Sequence, residues 1–197
     1  MHTSQSQESN IAPFSNKQIA YLIMLFVVGI LFRLLALDAR PVHHDESLHL
    51  MYGRYFFDWP DQQFYRYDAM LHGPLLYNSL RAVYDLFGSS TWAGRAFTAL
   101  LGTLFMFTPL FFRKYFSTWA MLALCSAFVL SPSLIYWARF IREDTLQMLF
   151  MAVTVIGALY CQGLTKVYVV LIGIVFQFCE KENSFVSLAL LIVYIIF

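Results

Sequence analysis

Long uncharged apolar runs dominate the second half of the chain. Residues 96–112, 115–138 and 145–165 contain no Asp, Glu, Lys or Arg. A helix that crosses a bilayer needs about 20 mostly apolar residues, because each residue rises about 1.5 Å through a hydrocarbon core about 30 Å thick. In lipid, a helix also satisfies its own backbone hydrogen bonds. We therefore predict spanning helices, at residues 18–37, 91–112, 117–137 and 144–164.

Two further apolar segments follow, at residues 167–179 and 183–197. The first is too short to span by itself, so we expect a short helix that ends at membrane depth with Glu180, Lys181 and Glu182 facing a wet cavity. Charges at such depth are costly and usually face protein or water, which makes this tripeptide a functional candidate. The alternative is a plain turn between two helices. The predicted fold is all-α, a transmembrane bundle of about 5–6 membrane segments.

Residues 38–90 form a different kind of segment, which we predict to be one large loop outside the membrane. The loop holds seven of the twelve acidic residues and four of the five histidines. Apolar residues recur in it at helical spacing, in two groups: Leu48, Tyr52, Tyr55, Phe56 and Trp59, then Leu76, Leu80, Val83, Tyr84 and Phe87. We expect two amphipathic helices that lie flat on the membrane with their apolar faces down.

Composition supports a membrane protein. The 197 residues are 59% hydrophobic and 13% charged, whereas a soluble domain has about 25% charged residues. The net charge of +1 gives no basis for nucleic-acid binding. Lys17, Arg113, Lys114 and Lys166 fall on one side of the predicted spans, which the positive-inside tendency makes cytoplasmic. Residues 1–17 are then a polar cytoplasmic N-terminus, Arg33 reaches the outer interface, and the large loop faces outward.

Two adjacent carboxylates, Asp45 and Glu46, follow the first predicted span. At a membrane–water boundary such groups can accept a proton from a substrate hydroxyl or hold a divalent cation. Side chains of adjacent residues point in different directions, so that one of the two is expected to reach a reacting centre. The alternative is that both acids cap the N-terminus of the following helix.

A second charged group lies between the third and fourth predicted spans. Arg139, Arg142, Glu143 and Asp144 emerge, in the predicted topology, on the same side as Asp45. Arg142 could bind a phosphate and Asp144 could orient a substrate or a metal. The alternative is a short loop whose charges mark the helix ends.

Metal binding has little support in the sequence. The histidines of the loop, His43, His44, His49 and His72, do not follow the spacing of a known zinc motif. The cysteines all lie in apolar segments, where we expect them to pack without disulfides. His72 could donate a hydrogen bond to a phosphate, or it could be a turn residue. We predict no resident metal and leave a divalent cation open.

Several of these segments, in this order, resemble a known pattern. They are RPVHHDES at 40–47, YRYD at 65–68, HGPL at 72–75, Arg95, SPS at 131–133, YWARFIRED at 136–144 and Lys181-Glu182. Together they are similar to the first outer loop and following spans of the GT-C superfamily of membrane glycosyltransferases. The nearest resemblance is to the predicted glycosyltransferases named for an association with flippase activity. Protein O-mannosyltransferases and aminoarabinose transferases are more distant.

The resemblance implies an enzyme that transfers a sugar, with inversion, from a polyprenyl-phosphate-linked donor to an acceptor on the outer face of a bacterial inner or archaeal cell membrane. Asp45 would be the catalytic carboxylate, supported by Glu46. Arg142 and Lys181, with Arg139, would bind the donor phosphate. The residues expected to orient the substrate are Asp144, Glu143, His72, Glu182 and His44.

Family members have many more spans, so we expect the C-terminal part of the family fold to be missing from residues 18–197. The alternative function is therefore a non-catalytic remnant, or a lipid-binding or transport-assisting subunit. A partner membrane chain could supply the missing helices. The expected ligands are the lipid-linked sugar and membrane lipid.

Overall fold

The computed structural model describes residues 13–58 and 72–196. The predicted motif at 65–68 and Trp59 lie outside the described residues. Within the described part the regular structure consists of α1 (Asn16–Leu34), a first 3₁₀ helix (Leu37–Ala39), α2 (His44–Asp58), α3 (Leu75–Phe87), α4 (Thr91–Met106), a second 3₁₀ helix (Thr108–Tyr115), α5 (Thr118–Leu130), α6 (Pro132–Ala138), α7 (Asp144–Tyr160), α8 (Gly163–Glu180) and α9 (Ser184–Ile196). The prediction of an all-α chain is confirmed for these residues.

Three helical stretches of the described part are long and apolar enough to cross a membrane: α1, the stretch Thr91–Tyr115, and α8. A fourth span exists if α5 and α6 count as one, although they are bent by 48° relative to each other. The prediction that the segment after Lys166 is too short to span is wrong. Helix α8 has 18 residues, begins at Gly163 and includes Lys166 in its first turn. By contrast, α7 has 17 residues and is shorter than predicted.

Helix α1 begins where its sequence supplies a capping box. The Ser15 hydroxyl accepts a hydrogen bond from the backbone N–H of Gln18, and the Gln18 side chain accepts one from the Ser15 N–H. This arrangement satisfies two N–H groups that have no partner inside the helix. Helix α1 therefore starts at Asn16, close to the predicted residue 18.

The bend between α5 and α6 follows from Pro132, which lacks an N–H and disfavours helical geometry at Ser131. The break leaves carbonyl groups at the end of α5 without helical partners. Arg33 of α1 donates to two of them, those of Phe128 at 3.0 Å and Val129 at 3.1 Å. Arg33 is 1% exposed. The prediction that it reaches the interface is therefore wrong.

Arg139, just beyond α6, does the same for the end of α1. Its two terminal nitrogens donate to the carbonyls of Phe32 at 2.6 Å and Ala36 at 2.9 Å. Arg33 of α1 thus caps the end of α5, and Arg139, which follows α6, caps the end of α1. Cations are favourable at a helix C-terminus because the free carbonyls there carry partial negative charge.

The apolar core consists of two clusters. The first joins α1, α4 and α5, with Leu22, Leu25, Phe26, Met106, Met121, Leu122, Cys125 and Val129. The second joins α3, α4 and the start of α7, with Leu76, Leu80, Tyr84, Ala93, Ile141 and Leu146. Except at the exposed Phe87, the apolar face of α3 is thus covered by protein. The prediction that this face rests on the membrane is wrong, because α4 and the segment before α7 pack on it.

Gly73 joins the segment before α3 to the end of α8. Its N–H donates to the carbonyl of Glu180 at 2.9 Å. A Cβ at this position would overlap the carbonyl oxygen of Cys179. The close approach therefore requires glycine, and it fixes the C-terminus of α8 against the residues before α3.

We predict that Gly73→Ala lowers the free energy of unfolding by about 1–3 kcal/mol, the usual cost of forcing an extra carbon into a packed site. Thermal unfolding of the purified chain in detergent micelles measures this. Ala82→Ser, which adds one atom on an exposed part of α3, is the matched control. Equal melting temperatures for the two variants would contradict the tight contact at Gly73.

Candidate functional site

A buried ion pair, between Glu46 of α2 and Arg95 of α4, underlies the candidate site. The side chains are 0% and 1% exposed. Arg95 Nε donates to Glu46 Oε1 at 2.8 Å, and Arg95 Nη2 donates to Glu46 Oε2 at 2.6 Å. Burial alone would raise the pKa of Glu46, but the bonds and charge of Arg95, with the charge of Arg40, hold it below the usual value. Glu46 is therefore ionised at neutral pH.

The same arginine fixes the chain between α1 and α2. Arg95 donates to the backbone carbonyls of Leu37 at 2.6 Å, Arg40 at 2.9 Å and Pro41 at 3.3 Å. On the other side, Glu46 Oε1 accepts a hydrogen bond from the Ile141 N–H at 3.4 Å. The first turn of α2 is thus fastened both to α4 and to the segment that precedes α7.

Because α2 is held there, Asp45 lies at the start of a chain of surface ion pairs. Arg142 Nη1 lies 3.4 Å from Asp45 Oδ2, and Arg142 Nε lies 3.2 Å from Asp144 Oδ2. Lys181 Nζ lies 3.3 Å from Asp144 Oδ1. Three distant segments therefore meet in one cluster of two carboxylates and two cations, which we call the ion cluster: Asp45, Arg142, Asp144 and Lys181.

The ion cluster is reachable from outside the protein. The exposed fractions are 41% for the side chain of Asp45, 29% for Arg142, 33% for Asp144 and 14% for Lys181. The guanidinium of Arg142 also lies 5.5 Å from the ring centroid of Trp137. Asp45 can therefore meet a ligand, whereas its neighbour Glu46 is sealed behind it.

A buried polar layer lies under the ion cluster. His49 Nε2 is 3.5 Å from Glu143 Oε1, and His49 Nδ1 is 2.7 Å from the Tyr77 hydroxyl. Burial lowers the pKa of His49, although the charge of Glu143 opposes this. Glu143 and Glu180 are both 0% exposed. Within the described residues, their carboxylate oxygens accept no hydrogen bond.

The remaining predicted site residues have partners outside the ion cluster. His72 Nδ1 is 2.9 Å from Glu182 Oε2, which forms a separate pair. His44 is exposed and its carbonyl accepts a hydrogen bond from the Ser47 hydroxyl. Arg139 is engaged with α1. The roles predicted for these residues, and for Glu46 and Glu143, stay predictions.

His49, Tyr77 and Arg95 surround the site but were not among the predicted site residues. Sequence spacing carried a signal for His49, since it lies four residues after Asp45 and so on the same face of a helix. In the described part of the chain, no group of three or more His, Cys, Asp or Glu side chains could hold a metal ion.

The chain matches no protein-family model, and neither curated proteins nor solved structures gave a match. The resemblance to the GT-C superfamily therefore stays a prediction.

We predict that Glu46→Gln destabilises the chain by about 3–5 kcal/mol, because it leaves the charge of Arg95 buried without its partner. Asp45→Asn should cost less than about 1 kcal/mol, since exposed ion pairs contribute little. Thermal unfolding in detergent micelles compares the two isosteric changes. A larger loss for Asp45→Asn than for Glu46→Gln would contradict this assignment.

Proposed function

We propose that this chain is a multi-pass membrane glycosyltransferase module that takes a sugar from a polyprenyl-phosphate-linked donor. The observation that carries the proposal is the ion cluster, in which the reachable carboxylate of Asp45 lies beside Arg142, and Asp144 links Arg142 to Lys181. Such a combination suits a reaction in which a hydroxyl loses a proton while a phosphate leaves.

Position supports a lipid-linked substrate. Two candidate spans, α1 and α8, end near the ion cluster: the link from α1 leads directly to Asp45, and Lys181 follows the last residue of α8. If both helices cross a membrane, the cluster lies at the boundary between lipid and water. A phosphate attached to a polyprenyl chain is held at that boundary, because the apolar chain enters the bilayer and the charged phosphate stays in water.

Asp45 is the proposed general base. It accepts the proton of the acceptor hydroxyl as the acceptor oxygen forms a bond to the anomeric carbon. The bond from that carbon to the phosphate oxygen breaks on the opposite face, so that the sugar configuration inverts and polyprenyl phosphate leaves. Glu46 is buried and paired with Arg95, whereas Asp45 is reachable from outside the protein. These differences favour Asp45 as the reacting carboxylate.

Arg142 and Lys181 are the proposed phosphate ligands. A guanidinium has five N–H donors, so Arg142 has donors for a phosphate besides those that face Asp45 and Asp144. The negative charge of the departing phosphate grows during the reaction, and fixed cations stabilise it most at that stage. Asp144 contacts both cations and so holds them at one place. Glu46 acts as a positioning residue that sets the first turn of α2.

We predict that Asp45→Asn lowers the rate of sugar transfer at least about 100-fold, the lower end of a general base's contribution. The assay follows release of farnesyl phosphate from a panel of synthetic farnesyl-phosphate-linked hexoses and pentoses, with a membrane extract as the acceptor source. Membrane insertion, checked by carbonate extraction, should be unchanged. Release that continues at the original rate would remove Asp45 from the catalytic role.

We also predict that Arg142→Ala and Lys181→Ala each weaken binding of farnesyl phosphate about tenfold or more, because each removes a charge-assisted bond to the phosphate. Lys166→Ala, at the opposite end of α8, is the matched control and should bind as the original chain does. The measurement is equilibrium dialysis in detergent micelles. Equal losses in all three variants would show that net charge, and not the ion cluster, governs binding.

A further inference from the structure

An open groove lies between α1 and α5, near the start of α1 and so at the opposite end of that helix from the link to Asp45. Its volume is about 430 Å³. Lys17 and Tyr21 of α1 line it on one side, and Trp119 and Ser126 of α5 line it on the other. The groove is therefore separate from the ion cluster.

Helices α1 and α5 run side by side in the same direction. The Tyr21 hydroxyl lies 2.6 Å from the Ser126 hydroxyl, and further along both helices Gly29 lies against Val129. The starts of the two helices are therefore at the same end of the groove. Since α1 is a candidate span and α5 forms part of a bent one, the groove leads from the end of these spans toward their interior.

The inner wall of the groove is apolar, and its hydroxyl groups are already bonded. Leu122 and Ala123 line the middle of the wall. The Ser126 hydroxyl donates to the Leu122 carbonyl at 2.7 Å, so the Tyr21 hydroxyl is the donor in its bond to Ser126. Ala123 is exposed and has only a methyl side chain, which leaves the space open. Such a wall suits a hydrocarbon chain.

The outer end of the groove is cationic. Lys17 is exposed there. Residues 13–37 and 86–142, which include both helices, contain no Asp or Glu, so neither helix supplies a carboxylate to neutralise Lys17. Arg113 adds a second positive charge near the start of α1, because its guanidinium lies 3.6 Å from the ring centroid of Phe14. The charge at this end therefore favours an anionic occupant.

Two aromatic side chains show where the headgroup level of a membrane falls on this surface. Trp119 is 76% exposed and Tyr21 is 37% exposed. Exposed Trp and Tyr are enriched where spanning helices meet the lipid headgroups. Gln18, the other polar residue of the lining, accepts a hydrogen bond from the Ser15 N–H within the capping box of α1. The starts of both helices thus correspond to the interface, and the apolar wall corresponds to the hydrocarbon below it.

We propose that the groove between α1 and α5 binds one anionic phospholipid from the leaflet at this end of the spans. The headgroup lies against Lys17, and one acyl chain runs over Leu122 and Ala123. Basic pockets between spanning helices are a recurrent type of site for anionic headgroups. A second copy of this chain fits the groove less well, because it would bring the same cations against Lys17. The lipid is distinct from the proposed sugar donor, whose site lies at the other end of α1.

The test measures lipid binding to the full chain in uncharged detergent micelles by native mass spectrometry. The probes are dimyristoyl phosphatidylglycerol and dimyristoyl phosphatidylcholine, which have the same acyl chains and differ in net charge. Ala123→Phe fills the groove, and Ala120→Phe, at an exposed position of α5 outside the lining, is its matched control. Lys17→Gln removes the cation, and Lys166→Gln, on an exposed part of α8, makes the same change in net charge elsewhere.

We expect one phosphatidylglycerol to bind more tightly than phosphatidylcholine. Ala123→Phe should weaken that binding about tenfold or more, because a ring occupies the space of the acyl chain, and Ala120→Phe should leave it unchanged. Lys17→Gln should lower the preference for phosphatidylglycerol about fivefold, the usual contribution of one basic residue near charged headgroups. Lys166→Gln should keep the preference.

Three results would overturn the proposal. The first is equal binding of the two lipids by the original chain. The second is binding that Ala123→Phe leaves unchanged, or a preference that Lys17→Gln and Lys166→Gln lower equally. The third is a dimer that Ala123→Phe dissociates, which would show that a second copy of the chain covers the groove.

Discussion

The pairing of two buried charges, the Glu46 carboxylate and the Arg95 guanidinium, constrains the rest of this structure. Removing either partner leaves a charge in a place that water does not reach, which is strongly unfavourable. The pair can exist only if α2 starts against α4 and if the link after α1 offers its carbonyls to Arg95. Glu46 therefore determines where the neighbouring Asp45 lies, and Asp45 in turn meets Arg142.

Two further arginines, Arg33 and Arg139, satisfy backbone carbonyls at the ends of helices. A helix that breaks or ends in apolar surroundings leaves carbonyls that water cannot satisfy. Arg33 donates to such carbonyls at the end of α5, and Arg139 donates to those at the end of α1. The bonds from Arg33 explain how a bend at Pro132 is tolerated in an apolar helix. The bonds from Arg139 explain why it takes no part in the ion cluster despite its nearness in sequence.

Much of the fold was predictable because apolar length and spacing indicate where helices form, and the expectation that Arg142 and Asp45 lie on the same side agrees with their 3.4 Å contact. The start of α8 was missed, since a charged Lys166 interrupts an apolar run without interrupting the helix. Asp45 and Glu46 could not be told apart from sequence, because their difference arises from Arg95, 49 residues beyond Glu46. The covered face of α3 was missed for the same reason: amphipathic spacing does not say whether protein or lipid covers the apolar side.

The central claim, that Asp45 and Lys181 meet at one face of a membrane, is tested most directly by cysteine accessibility. Single cysteines replace His44, Glu182 or Lys166 in a chain whose native cysteines are changed to alanine, and a membrane-impermeant maleimide is applied to oriented vesicles. The account predicts that positions 44 and 182 are labelled from the same side and position 166 from the other. Labelling of positions 44 and 182 from opposite sides would contradict it.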